Sequence, residues 1–448
     1  SNTVVRVWMY TPEGNEYRLL SSGTGLPNAP NYRQTTGGGS IVIDNIPAGD
    51  GYGIVVAVDD NGGPTFVPTH YAYRDSFAVA AGRETQLQLS LTAASELVTS
   101  LPGVNLNSVV GSVGTNAALF AASYTKVYQN PVSGSLQQAE YPLGPSGDIK
   151  TTSQTATFIN SLSSAHAVDE TVLVNTDIGV FPIVNGGSGY DVNTAYADTG
   201  YEAGVRNVVS SGLFQGPDAY VVYYQRRGGL GGAEFNDIGS GPNEWNDTGT
   251  ELADFIGSDE SPVWAAAVSD NAVFLSTVFG TFRATEALFS GTEIDIDALI
   301  GGDSSSTAGI TFFGVAFPGT DRPLRIRHMG HIGNRVVVGT GRGAFFFGES
   351  AISTVGPNKL VAGVKAIPKT AGNYVVDMSV NDGWIAVLTP SRIVVVNEGT
   401  PGTLAYERPL RGYALGNPRD VFVVNGVGPV PRPVVYIAGS EGLSKIVF

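Results

Sequence analysis

A short apolar strand recurs along this chain at a spacing near fifty residues. It reads Ala118-Leu119-Phe120-Ala121-Ala122, Thr171-Val172-Leu173-Val174-Asn175, Tyr220-Val221-Val222-Tyr223-Tyr224 and Ala272-Val273-Phe274-Leu275-Ser276, then Val336-Val337-Val338-Gly339, Ile385-Ala386-Val387-Leu388 and Val434-Val435-Tyr436-Ile437-Ala438. Successive copies start 53, 49, 52, 64, 49 and 49 residues apart. Each is flanked by a further apolar strand on either side of a Gly, Asn or Asp turn, most plainly around Arg335-Val336-Val337-Val338-Gly339-Thr340 and Gly343-Ala344-Phe345-Phe346-Phe347. A unit of a few short strands cannot bury its faces alone, so such units stack, and a period of roughly 40–50 residues is that of one four-stranded propeller blade. Seven copies predict an all-β chain whose main body is a seven-bladed β-propeller.

The last unit supplies three strands and then the chain ends at Phe448. Residues 96–104, Glu96-Leu97-Val98-Thr99-Ser100-Leu101-Pro102-Gly103-Val104, precede the first blade and have no other place in the repeat. They are expected to pair outside the C-terminal strand, closing the ring as three strands plus one and removing an exposed sheet edge. The propeller is therefore assigned to residues 96–448.

Composition excludes several classes. With 42% hydrophobic and 10% aromatic residues the 448-residue chain can build a core, so it is not mainly disordered. Its 59 Gly and 25 Pro break the apolar stretches before any reaches membrane-spanning length. A net charge of −15 argues against nucleic acid or an anionic membrane surface as partner. No cysteine is present, which removes disulfides, thiol nucleophiles, iron–sulfur clusters and cysteine-ligated zinc. The chain opens on Ser1-Asn2-Thr3 without Met. Together with the lack of Cys, this start gives the expectation of an exported periplasmic or surface protein, monomeric, and a candidate lipoprotein anchored through a removed N-terminal segment.

Residues 1–95 read as a separate unit. Val4-Val5-Arg6-Val7-Trp8-Met9-Tyr10 is a strand, Ser40-Ile41-Val42-Ile43 leads to an Ile46-Pro47-Ala48-Gly49 turn, Tyr52-Gly53-Ile54-Val55-Val56 follows, and Gln86-Leu87-Gln88-Leu89-Ser90-Leu91 alternates strictly. The alternation predicts a small β-sandwich with one wet face. The Ile-Pro-Ala-Gly turn, the strand opening on Tyr52 and the Ala81-Gly82-Arg83-Glu84-Thr85 turn before the alternating strand resemble the carboxypeptidase-regulatory-like (prealbumin-like) sandwich. That resemblance implies a structural spacer or adhesion module and carries over no catalytic residue. Asp59-Asp60-Asn61-Gly62-Gly63 has the oxygen ligands for calcium but lacks the later bidentate Glu of an EF-hand, so a hairpin turn is the simpler reading and no cofactor is assigned.

The units Val336-Val337-Val338-Gly339-Thr340-Gly341-Arg342-Gly343 and Val434-Val435-Tyr436-Ile437-Ala438-Gly439-Ser440-Glu441-Gly442-Leu443 resemble the blade repeats of bacterial surface and sensor propellers. The Trp-Asp ending of WD40 blades is absent. The sialidase-type box is approached only at Ser379-Val380-Asn381-Asp382-Gly383-Trp384, where a hairpin turn explains it.

Propeller ligands sit where the turns between second and third strands meet the segments entering each inner strand. Those turns carry Tyr124, Asp177, Arg226, Arg227, Phe279, Arg342, Arg392 and Glu441, and the entering segments add Arg206, Arg325 and Arg419. Seven arginines near one face of an acidic protein suggest a local positive funnel for a carboxylate, sulfate or phosphate, with solvated turn arginines as the plainer alternative. His328 and His331 fall on opposite sides of one strand and suit a shared metal poorly. Residues 236–262 and 284–324 lengthen the repeat and carry acids, among them Asp254, Asp259, Glu260, Glu293, Asp295 and Asp297, with Trp245 placed to stack on a sugar. The leading reading is a non-enzymatic envelope binding protein for a protein or carbohydrate ligand. The rival is an exported polysaccharide hydrolase or lyase using carboxylates of 236–262.

Overall fold

The computed structural model describes residues 3–13, 16–19, 33–37, 39–43, 46–60, 69–93, 97–112, 117–130, 139–143, 147, 149, 156–164, 171–177, 180–185, 190–192, 207–210, 219–225, 231–238, 245–251, 263–269, 272–277, 281–285, 310–352, 360–410, 415–426 and 432–448. Among them stand seven four-stranded antiparallel sheets, numbered here 1 to 7 in chain order. Every repeat strand identified in the sequence is the second strand of its sheet: Leu119–Ser123, Thr171–Thr176, Ala219–Gln225, Ala272–Thr277, Arg335–Thr340, Trp384–Leu388 and Pro433–Gly439. The first strands are Leu106–Gly111, Ile159–Ser164, Asn207–Ser210, Val263–Ser269, Ile326–Ile332, Asp377–Asn381 and Pro418–Asn425. Each of these touches the first strand of the next sheet, and the last touches the first, so they form a closed inner ring.

Closure uses the predicted strand. Sheet 7 runs 418–425, 433–439, 442–447 and then Leu97–Ser100, with Leu443 opposite Ser100 and Ile446 opposite Leu97. Gly442 makes the approach, since its φ of 149° and its distance from Ser100 leave no room for a side chain. Beyond the ladder, the Gly103 N–H donates to the Glu441 carbonyl at 2.8 Å.

The core lies between neighbouring sheets. Phe120, Val127, Ile159 and Phe181 of sheets 1 and 2 pack in one cluster with Phe422, Ala438 and Leu443 of sheet 7, so apolar contact crosses the ring's seam. Phe274, Val336, Phe345 and Phe347 join sheets 4 and 5, while Trp384, Ile393, Val423 and Ile437 join sheets 6 and 7. Burying each such side chain stabilises the fold by about 1.5–3 kcal/mol.

A one-residue irregularity recurs near the start of the inner strand in sheets 1, 2, 4, 5 and 7, between Leu106 and Ser108, Ile159 and Ser161, Val263 and Ala265, Ile326 and His328, and Pro418 and Asp420. The extra residues are Asn107, Asn160, Trp264, Arg327 and Arg419. A bulge re-aims its side chain out of the ladder, and four of these side chains reach the next sheet or the segment entering it, Trp264 among them through Arg325. Asn107 Nδ2 donates to the Ile159 and Asn160 carbonyls at 2.7 and 3.2 Å, Arg327 meets Tyr374, and Arg419 meets Leu106 and Tyr124.

The N-terminal unit departs from the expected sandwich. Its strands Val4–Glu13, Glu16–Leu19, Arg33–Thr36, Gly49–Asp59, His70–Val79 and Thr92–Ala93 form one six-stranded sheet. The described residues of 39–43 and 84–91 make no ladder; instead Ile43, Ile46 and Leu87 pack on Met9, Tyr52 and Phe77. Tyr52 Oη donates to the Pro47 carbonyl at 2.6 Å, holding one of these segments down. Alternation at Leu87 and Leu89 reports an extended backbone with a wet side, and a covering segment satisfies it as well as a second sheet would. Among the described residues no helix is long and apolar enough to cross a membrane.

Candidate functional site

The entry to each inner strand and the turn between its second and third strands lie at one end of the ring, because each antiparallel hairpin returns the chain there. At this rim, Arg419 of sheet 7 donates from Nη1 to Tyr124 Oη at 3.1 Å and to the Leu106 carbonyl at 3.3 Å. Its guanidinium carbon is 5.6 Å from the centre of the Tyr124 ring. Tyr124, in the turn of sheet 1, stacks at 5.0 Å and 20° on Phe158, which enters sheet 2. Asp177 fixes that entry: its carboxylate accepts the Thr157 and Phe158 N–H groups at 2.9 and 3.1 Å and the Thr157 hydroxyl. Phe158 nonetheless stays 37% exposed, so the stack ends in solvent.

A second group lies along the same rim. The guanidinium of Arg325 rests 3.3 Å from the centre of the Trp264 ring. Arg327 lies 5.4 Å from Tyr374, which is 39% exposed, and donates to its hydroxyl at 3.3 Å. An arginine laid against an aromatic ring is ordered before a ligand arrives while its in-plane N–H groups remain suited to a planar carboxylate.

Below the rim, the residue after each bulge occupies an equivalent ladder position: Ser108 opposite Ala122, Ser161 opposite Asn175, Ala265 opposite Ser276, His328 opposite Gly339 and Asp420 opposite Ala438, with Asp377 opposite Leu388 in sheet 6. Five consecutive sheets, 5, 6, 7, 1 and 2, are joined through this layer. His328 Nδ1 is 3.1 Å from Asp377 Oδ1, and the carboxyl groups of Asp377 and Asp420 lie close enough to shift each other's proton affinity. Asp420 Oδ2 then accepts Ser108 Oγ–H at 2.5 Å and the Val109 N–H at 2.8 Å, and Ser108 Oγ accepts the Leu162 N–H at 3.0 Å. Asp377 Oδ2 and Asp420 Oδ1 both accept the Val421 N–H, at 2.9 and 2.8 Å.

Desolvation, then the neighbouring charge of Asp377, holds the Asp420 carboxyl well above the usual carboxylate range, and desolvation raises Asp377 as well. Burial pushes His328 down to about 4, with Arg327 contributing, so its imidazole is neutral at pH 7. The two carboxyls converge on one donor, the Val421 N–H. Their oxygens are occupied by hydrogen bonds between inner strands.

The expected site residues fall in several places. Arg325 and Arg419 reach the rim as described, and Arg342 is exposed in the turn of sheet 5. Arg392 is a correction: it opens the strand Arg392–Asn397, its side chain is 8% exposed, and it is paired with the equally buried Glu407, so its charge is spent inside the sheet. Trp245 begins the strand Trp245–Glu251, paired with Ile238, where the sequence suggested an inserted loop. Arg206, Arg226, Arg227 and Phe279, and the acids Asp254, Asp259, Glu260, Glu293, Asp295 and Asp297, lie outside the described residues. Asp60 is 3.1 Å from His70 Nδ1 and accepts the Thr69 hydroxyl, and residues 61–63 lie outside the described residues. Among the described residues no group of three or more His, Asp or Glu is placed to hold a metal ion. The histidines do separate: His328 meets Asp377, while His331 meets Glu349 at 2.8 Å.

No family model matches the chain, and no curated protein sequence matches it. Solved structures do. The extracellular domain of the putative hybrid two component system BT4673 from B. thetaiotaomicron is similar with a TM-score of 0.50 and 12% identity, over 79% of this chain and 40% of that one. PorZ, a bacterial surface component of the type-IX secretion system of Porphyromonas gingivalis, gives 0.48 and 13%, over 79% and 38%. YCF48 bound to D1 peptide gives 0.44 and 9%, over 79% and 94%. The chain spans about two fifths of the length of the first two. The class is thereby defined: an all-β protein built on a β-propeller.

Proposed function

We propose that this chain is an exported, monomeric binding module of the bacterial envelope whose rim takes a carboxylate-bearing ligand, an acidic glycan or an acidic peptide. The observation that carries the reading is the run Arg419–Tyr124–Phe158, in which an arginine and two stacked rings from three sheets end in solvent. Rings of this kind stack on a sugar or a peptide side chain, while the guanidinium pairs with its carboxylate. Arg325 on Trp264 and Arg327 beside Tyr374 extend the same chemistry along the rim. A cationic rim on a chain of net charge −15 confines attraction for anions to one end of the ring. Placement outside the cytoplasm is supported by the extracellular domain that shares the fold and by the absence of cysteine.

The test is a glycan and peptide array probed with the wild-type chain and with the R325A/R327A/R419A variant. Binding confined to acidic members and lost in the variant is the expected result. Binding to neutral members, retained by the variant, overturns the reading, and degradation of an arrayed polysaccharide assigns a hydrolase in its place.

A further inference from the structure

We propose that the His328–Asp377–Asp420–Ser108 chain contains a proton-operated latch between sheets 6 and 7, beside the seam where the last sheet of the ring meets the first. This goes beyond the rim reading and stands without it. The groups come from the inner strands of sheets 5, 6, 7 and 1, and sheets 7 and 1 hold the two ends of the propeller sequence. Asp420 makes the seam contact itself, accepting Ser108 Oγ–H and the Val109 N–H. Asp377 accepts the same Val421 N–H as Asp420, and at that proximity one proton shared between the two carboxyls relieves their repulsion.

The groups facing the pair are few. His328 and Arg327 come from sheet 5, with His328 on Asp377 and Arg327 directed to Tyr374. Sheet 1 offers only the Ser108 hydroxyl and the Val109 N–H, and Arg419, next to Asp420, is directed to Leu106 and Tyr124. Among the described residues no cation is seated on the pair to replace the proton. When the proton leaves to solvent, the charge on Asp377 repels Asp420 and the contact between sheets 6 and 7 weakens, while Ser108 and Val109, whose hydrogen bonds favour the charged form, keep their hold on Asp420.

The sign follows from linkage. Both aspartates bind protons more tightly in the folded chain than in the unfolded one, so their contribution is complete at low pH and is lost as pH rises through their raised values. His328, held down at about 4, contributes the opposite way, with stability that is full above the ordinary histidine value near 6.5 and lost as pH falls. The carboxyl pair and His328 thus act in opposite senses, and the slope of stability against pH tells them apart.

Thermal melts of the full chain and of Asp420→Asn from just above the ordinary carboxylate range to about pH 9 test the latch. The wild type is expected to lose melting temperature with rising pH, and the amide variant, which keeps the shape and the acceptor for Ser108 and Val109 but offers a donor in place of the second oxygen, to lose less by about 2 °C or more. Asp377→Asn repeats the test should the first variant not fold. Carboxyl carbon NMR of the wild type needs no variant and is expected to show the Asp377–Asp420 pair still holding a proton above the ordinary carboxylate range. Equal pH slopes in wild type and variant, or both carboxyls titrating near their ordinary value, would overturn the proposal.

Discussion

Gly442 sits where the ring is fastened, and replacing it with alanine strains the fastening more than the sheet. Its φ of 149° is one that L side chains rarely adopt. An added Cβ would stand 3.0 Å from the Ser100 carbonyl oxygen and 3.1 Å from that of Leu101, the residues that end the closing strand. The dihedral costs about 1–3 kcal/mol, and the contact is relieved only if Leu97–Ser100 moves outward by a few tenths of an ångström. Four residue pairs hold that strand, Ser100 to Leu443 through Leu97 to Ile446. At about 0.5–1.5 kcal/mol for each net hydrogen bond, the ladder is of the same size as the strain. Gly442→Ala should therefore lower stability by about 2–4 kcal/mol and free the closing strand locally. Gly343 provides the control: its φ is 126° and its added Cβ would lie 2.8 Å from the Thr370 carbonyl, away from the seam. Hydrogen exchange followed by mass spectrometry should show protection lost over 97–100 in Gly442→Ala and kept in Gly343→Ala. Equal protection of that strand in the two variants would refute the reasoning.

Other outcomes follow from single contacts. Arg392→Leu leaves the Glu407 carboxylate buried and should cost about 3–5 kcal/mol, whereas R392L/E407L should recover most of it in calorimetry; ligand binding at the rim should be unchanged by either. Asn107→Ala removes two hydrogen bonds from sheet 1 to sheet 2 and should lower the urea midpoint by an amount equivalent to about 1–2 kcal/mol, with the slope of the transition unchanged.

What the sequence reveals depends on which neighbours are local. The second strands are continuous apolar runs because both of their faces are covered, and that makes the period visible at Val336-Val337-Val338 and at Ile385-Ala386-Val387-Leu388. The hairpin at Asp382-Gly383 is legible for a similar reason, since φ values of 50° and 80° call for such a pair. The closing strand could be placed because sheet 7 lacked a member. The bulges change one residue of register without altering the apolar pattern, so Arg419 and Trp264 read as ordinary strand-entry residues. Asp377 and Asp420 were missed because their partners are remote in sequence, 311 residues separating Asp420 from Val109. A signal was nevertheless present: Asn107-Ser108, Asn160-Ser161, Arg327-His328 and Arg419-Asp420 are polar pairs at the same point of four units. Arg392 misled for the reverse reason. As a residue beside a turn it looked solvated, but it begins a fully paired strand and meets Glu407 in the adjoining strand of its own sheet.

The claim that the rim recognises carboxylate rests most directly on one comparison. An acidic ligand selected on the array, and the same ligand with its carboxylates methyl-esterified, should be titrated against the wild-type chain by calorimetry. The account predicts that esterification weakens binding by about tenfold or more, the loss of one charge-assisted contact to an arginine such as Arg419. Equal affinity for the acid and its ester would contradict it.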